Sequence, residues 1–455
     1  MAKIGVRVPR QRSSGRIGAD PAPRSAAARR RTCSAYSRRG AAEIGVGDRR
    51  GDQNFFVAAL AVLTSLLAGA GLAGCSKVDA AKATGSSGEA PTSASAAVAV
   101  AEPDSVFLAE VKQRVEAAYQ GNERTPPSDG KKPDKGKNVW IISPGMIGES
   151  SAIPVNATKE AGTAVGWKMT VFDGKLDPSS YSAGIRQAIA AKADGIIIGG
   201  IDCAVIKQAL SEARAAKVKT VGYYALDCDD PNFGGGSKLM DGMVNNGDQL
   251  GDFATLTRQF GAVKADWVIH KTGGKAKLIQ FKEDEFLVLK YIRLGFEEEF
   301  AKCKTCEIVD TVDFTLADYG PKLQQKAQAA LAKHPEANAV HVPYDSPLHF
   351  GVGGALVESG RNDKLEVIGG EGFPSNITLL RENKGQDAAC AFPSQWVGWA
   401  TVDALSSIFH GEKPRDSGAG LKLIDREHNL PPAGKGYEPK TDFRAAYKKA
   451  WGIAL

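Results

Sequence analysis

The sequence is poor in the signatures of catalysis. It contains no Gly-x-Ser-x-Gly elbow, no Gly-x-x-x-x-Gly-Lys-Ser/Thr loop and no His-Glu-x-x-His helix, so nothing marks a hydrolase, nucleotide-binding or zincin centre. Histidine is scarce, at six residues. His341 and His349 straddle an expected strand end, where core or surface placement is the simpler role. A basic footprint for nucleic acid is also missing. Of 58 Lys+Arg and 52 Asp+Glu, 13 and 4 fall within residues 1–74, leaving 45 against 48 in the body. A slightly acidic body offers no surface for a phosphate backbone. The basic leader shows no helix-turn-helix pattern, which argues against a repressor.

Cysteine is sparse, and the body has five: Cys203, Cys228, Cys303, Cys306 and Cys390. A single C-x-x-C at 303–306, with no second one and no nearby His pair, favours a local disulfide over half a zinc site. No metal or cofactor is expected. Cys203 and Cys228 follow two neighbouring expected strands, so a bridge between those loops is predicted. Cys390 is left as a buried thiol within a strand over 387–392.

What is present begins with an address. An Arg-rich start runs into an uncharged apolar stretch at 55–74 that ends Leu72-Ala73-Gly74-Cys75. This is a signal-peptide layout whose last four residues resemble a bacterial lipobox, so Cys75 is the expected lipidation site. The competing reading is a transmembrane anchor, because the run is long enough to span a bilayer. The 50 residues ahead of it are many for an n-region. An early assigned start accounts for them better than a twin-arginine route through Arg38-Arg39 or Arg49-Arg50.

Residues 76–101 are rich in Ala, Ser, Thr and Gly and read as a tether. Residues 104–120 carry apolar positions at helical spacing behind an Asp104 or Ser105 cap. From 138 to 230, short apolar runs alternate with amphipathic segments four times. The runs, at 139–142, 168–172, 195–198 and 220–224, are continuous rather than alternating, as expected of strands covered on both faces. A second series starts near 276, with strands at 276–281, 307–314, 339–342, 365–370 and 387–392. The pattern thus runs twice, with a break at 245–275. Two similar α/β lobes with parallel, Rossmann-like sheets follow. In such sheets ligands sit beyond the carboxyl ends of the strands.

The order of these pieces resembles the periplasmic sugar-binding proteins of ABC importers, the ribose-binding-protein-like type I group. The likeness spans about 137–414. It rests on 137–144 (KNVWIISP), 193–199 (ADGIIIG), 217–224 (KVKTVGYY), Gly295-Phe296, 333–342 (KHPEANAVHV), 366–372 (EVIGGEG) and 392–398 (FPSQWVG). Composition ahead of this span sets a leader at 1–74 and a tether with one helix at 75–136. The resemblance implies an N-terminal lobe of 137–247 and 392–415, a C-terminal lobe of 248–391, and an extension at 416–455. Three crossovers act as the hinge, and a monomer delivers its solute to a membrane permease. A sensory lipoprotein feeding a chemoreceptor or kinase is the alternative.

Carried onto this chain, the family's contacts fall on strand ends. The first loop corresponds to 148–151, including Glu149 and Ser150, although the Asn-Pro-Phe often found there is absent. Asp227 resembles the carboxylate after the fourth strand, and Asn246 the crossover Asn. Lys290 stands where sugar binders commonly have Arg, and Phe314 is similar to the aromatic ending the next strand. Tyr344 and Asp345 follow the third strand of the second lobe. Glu371 stands in place of an Asp, and the return-crossover contact lies within 392–396, with Gln395 and Trp396 as its candidates. Carboxylates that accept from paired hydroxyls, beside rings that cover C–H faces, suit a polyol. Asp227, Asp345, Glu371, Phe314, Tyr344 and Trp396 would supply that mixture.

Overall fold

The computed structural model describes residues 102–454 other than Gly234. The leader and the expected lipidation site at Cys75 lie outside these residues. Among the described residues no helix is long and apolar enough to cross a membrane.

Two sheets form where the two series of apolar runs lie. The first holds β1 (Asn138–Ser143), β2 (Lys168–Asp173), β3 (Gly195–Gly199), β4 (Lys219–Tyr223) and β5 (Gly242–Met243), all parallel in the order β2-β1-β3-β4-β5. β3 is buried along its whole length, because α2 (Glu149–Ala164), α3 (Pro178–Ala190) and α4 (Cys203–Ala215) are the crossover helices of a covered sheet. Local chemistry sets the helix starts. At α3 the Asp177 carboxylate accepts from Ser179 N–H, and Pro178 occupies the first turn, where its missing N–H is not needed.

The second sheet holds β6 (Lys277–Lys282), β7 (Glu307–Asp313), β8 (Ala339–His341), β9 (Glu366–Glu371), β10 (Ala388–Ala391) and β11 (Lys422–Asp425), in the order β11-β10-β9-β8-β6-β7. Its strands are parallel except β11, which pairs antiparallel with β10. The helix α5 (Phe253–Lys271) packs on α6 (Leu287–Phe300) at backbone contact. A Cβ on Gly261 would lie 1.9 Å from the Ile292 carbonyl oxygen, and one on Gly295 would lie 2.1 Å from that of Arg258. Only glycine permits that approach, and it sets how close these two helices stand over the sheet.

The chain crosses between the lobes three times: after β5, between β10 and the helix Ser394–Phe409, and between that helix and β11. Two disulfides join Cys203 to Cys228 and Cys303 to Cys306, while Cys390 is a buried free thiol. The first closes a loop of 25 residues, for which about 2–4 kcal/mol is the usual contribution.

Both flanking segments are built into the body. The helix α1 (Ser105–Gln120) buries Val111 and Val115 in one cluster with Trp267 and Val268 of α5. Its Arg114 donates to Asp266 at 2.8 and 2.9 Å. The extension supplies β11 and a last helix, Phe443–Ala450. There Trp396 stacks on Phe443 at 5.8 Å and Trp399 on Trp451 at 5.5 Å. Trp396 and Trp399 are therefore both core residues of this aromatic stack, and Trp396 donates its indole N–H to the Ser417 carbonyl at 2.8 Å. Spacing alone leaves open which of the two faces outward, because the covering helix lies almost 50 residues downstream.

Candidate ligand-binding cleft

The carboxyl ends of both sheets face one another across a cavity of about 180 Å³. Three non-glycine residues there hold a left-handed backbone, Leu176 (φ 59°) in the loop after β2, Tyr224 (φ 52°) just after β4 and Glu371 (φ 60°) ending β9. All three line the cavity. Such a conformation costs on the order of 1–3 kcal/mol and survives where surrounding packing imposes it, often at ligand sites. Tyr224 is fixed by a hydroxyl contact to Ser394 Oγ at 2.9 Å. Glu371 Oε2 accepts from Ser150 Oγ at 2.7 Å and from Asp345 N–H at 3.3 Å. Burial pushes the Glu371 carboxyl up to about 7, with Ser150, the Asp345 amide and Lys264 pulling the other way.

Beneath it lies a buried polar cluster. Asp345 accepts from Phe373 N–H at 2.9 Å and Gly370 N–H at 3.1 Å. Burial, and then the charge of Glu371, hold its carboxyl well above the usual range. The Lys264 ammonium donates to the Val342 and Pro343 carbonyls at 2.6 and 3.0 Å, and burial lowers its pKa to about 7. Tyr344 donates to Glu283 at 2.6 Å, and burial raises Glu283 to about 8. His341 is fully buried against Phe296 at 3.9 Å; His349 is exposed.

The lobes are closed on this cavity, with hydrogen bonds on both flanks. On one side Ser150 reaches Glu371, and Glu149 accepts from the hydroxyl and amide of Ser375. On the other, Asp202 occupies the N-cap position of α4 yet gives its own helix no side-chain bond. Its carboxylate instead accepts from Leu226 N–H at 3.0 Å and, across the cleft, from Leu287 N–H at 2.8 Å. An acid at the first turn of α6 meets the positive end of that helix. Burial raises Asp202 to about 6. Tyr291 adds a hydroxyl bond to Asp230 at 2.8 Å.

Of the residues named from sequence, Ser150, Tyr344 and Glu371 line the cavity. Glu149 belongs to the interlobe contact and Asp345 to the layer behind Glu371. Asp227 turns inward, where its carboxylate accepts from the Cys228, Leu239 and Met240 amides. Asn246 is buried at the first crossover, its carbonyl held by Arg124. Lys290 bonds Asn232 at 3.0 Å, Phe314 packs on Phe281 in the core, and Gln395 donates to Glu438 at 2.6 Å. From the 392–396 segment Phe392 and Ser394 reach the wall, which also recruits Tyr224, Phe253, Phe260, Leu289 and Ile292. The α5 and α6 members of that set read as ordinary amphipathic-helix positions, and nothing local marks them as facing a ligand.

Two hinged lobes of parallel sheet, closed over a cavity at their strand ends, define the type I periplasmic binding protein fold. A family model described as the periplasmic binding protein domain matches residues 152–413, and the chain belongs to that family. Among solved structures it is similar to GanP, a glucose-galactose binding protein from Geobacillus stearothermophilus, at 18% identity and TM-score 0.54, covering 66% of this chain and all of that one. It is similar to a 5-methylthioribose transporter solute-binding protein from Thermotoga lettingae, at 16% identity and TM-score 0.56, covering 70% of this chain and all of that one. An ABC transporter solute-binding protein from Agrobacterium vitis bound to α-D-tagatopyranose matches at 17% identity and TM-score 0.56, over 65% of this chain and 97% of its own. No curated protein matches the chain.

Proposed function

We propose that this chain is the extracytoplasmic solute-binding component of an ABC importer, which captures a sugar or a similar small solute by lobe closure and presents it to a permease. The observation that carries this reading is a cavity walled by both lobes and closed by hydrogen bonds on each flank. A solute favours the closed form only through contacts that differ between open and closed states. Here Tyr224 from one lobe and Glu371 from the other supply them. The similar solved structures carry sugar-binding descriptions, and the family is one of binding proteins rather than enzymes.

Small-angle scattering tests the mechanism. The radius of gyration should fall when a bound solute is added, and Asp202→Ala should enlarge it in the absence of solute. A lost charge-assisted bond of this kind is worth about 1.5–3 kcal/mol, so solute affinity of the variant should drop by roughly ten- to hundredfold. A scattering curve unchanged by the substitution would refute Asp202 as a latch. Retention at the membrane is attributed to a lipid on Cys75, behind the Leu72-Ala73-Gly74 sequence. Cys75→Ser should shift the chain from the membrane fraction to the soluble one, and unchanged fractionation would exclude the anchor.

A further inference from the structure

The composition of the cavity wall bears on which solutes the cleft can hold. Among the described residues, no Arg, Lys, His, Asn, Gln or Asp side chain lines it, and its one ionisable acid is Glu371. A sugar with hydroxyls around its whole edge needs a partner for each, and every buried hydroxyl left unpaired costs about 1–3 kcal/mol. Of the hydroxyls on this wall, all but that of Ser151, beside Ser150, already have a protein partner. Tyr224 is paired with Ser394, Tyr319 with Tyr344, and Ser150 with Glu371. Thr257 donates to the Phe253 and Ala254 carbonyls of its own helix.

What remains for a solute is uneven. At one corner Ser150, Ser346 and Glu371 meet, with Ser150 Oγ 3.3 Å from Ser346 Oγ. Both protein bonds to Glu371 fall on Oε2, which leaves Oε1 as an acceptor. Away from that corner Phe253, Phe260, Phe286, Val288, Leu289 and Ile292 form a continuous apolar wall. Such a wall rewards burial of C–H and ring surface, at about 25 cal/mol per Å², and rewards no hydroxyl.

Taking the capture reading as given, we propose that the cleft selects an amphipathic solute: a ring-bearing apolar body with its hydrogen-bond donors confined to one end, delivered to Glu371. The head is a hydroxyl or an ammonium, since either donates to a carboxylate. The wall offers an anionic head no cationic partner. The solute is thus far less hydroxylated than a free pentose or hexose.

Isothermal titration of the full chain with 2-phenylethanol, 2-phenylethylamine, D-ribose and D-glucose separates the possibilities. At least one phenyl probe should bind ten times more tightly than either free sugar. Glu371→Gln should weaken the amine at least tenfold. Leu316→Trp, which places a ring on the cavity wall, should weaken both phenyl probes while leaving the circular dichroism spectrum unchanged. The two heads are told apart by pH: amine affinity should rise as pH increases through about 7, where Glu371 ionises, and alcohol affinity should not. Tight binding of ribose or glucose with no phenyl binding overturns the inference, yet leaves lobe-closure capture intact. Binding of neither class also overturns it, and the scattering test on Asp202→Ala then judges capture separately.

Discussion

Glu371→Gln should make the ligand-free chain more stable at pH 8 by about 3 kcal/mol, and leave it unchanged at pH 4.5. The sign follows from linkage. Glu371 titrates at about 7 in the folded chain against an ordinary 4.5, so folding disfavours its charged form. Below the ordinary value the carboxyl is protonated both folded and unfolded, and the penalty vanishes. Between 4.5 and 7 the unfolded chain releases a proton that the folded chain keeps, so stability falls as pH rises. Above 7 the penalty is complete, about 1.4 kcal/mol for each tenfold difference in proton affinity between the folded and unfolded chain. Glutamine removes it while keeping the shape and an acceptor for Ser150. Thermal midpoints of both forms, measured from pH 4.5 to 8, check this. Parallel curves would mean that the carboxylate is solvated and not the buried acceptor described above. A site residue whose removal stabilises the fold is the expected signature of a group retained for binding.

The second large effect lies far from the cleft. Trp451→Ala should destabilise the chain by about 3–5 kcal/mol, the usual range for a fully buried Trp. Trp451 stacks on Trp399 and lies against Tyr447 at 5.3 Å. Its indole N–H donates to Asp403 at 2.8 Å. Asp403 is itself buried and held above the usual carboxylate range by that burial. Without Trp451 it keeps Arg415 as its remaining side-chain partner. Chemical denaturation should show the loss, with Trp451→Phe restoring part of it. A change under about 0.5 kcal/mol, the size of an ordinary surface substitution, would show that the last helix is a dispensable appendage. The helix Ser394–Phe409, which carries Trp396, Trp399 and Asp403, follows directly on a hinge crossover, so its packing also sets how firmly the lobes are joined.

Much of the architecture is legible in the chain itself. Continuous β-branched runs between amphipathic segments specify two covered parallel sheets, and Cys203 and Cys228 are placed for pairing because they follow adjacent strands. These features are local or covalent: period, strand length and short separation along the chain. β11 is not legible in this way, because Lys422–Asp425 is four residues with no periodic context and becomes a strand only through the free edge of β10. The docking of α1 is equally hidden, since an amphipathic helix after a tether does not declare what its apolar face meets.

The cleft divides along the same line. That the cavity lies at strand ends follows from parallel topology, and that Ser150, Tyr344 and Glu371 stand on its wall agrees with where the family resemblance places its contacts. Which way a strand-end side chain points follows from neither. Glu371 enters the cavity by a left-handed backbone, whereas Asp345 turns behind it to cap amides and Asp227 turns into its own loop. The apolar character of the wall is likewise a tertiary result. It arises because α5 and α6 are brought together at two glycines and offer the cavity side chains that periodicity alone assigns to a core. Direction at a strand end depends on one dihedral angle and on neighbours distant in the chain, and neither is written in the residue itself.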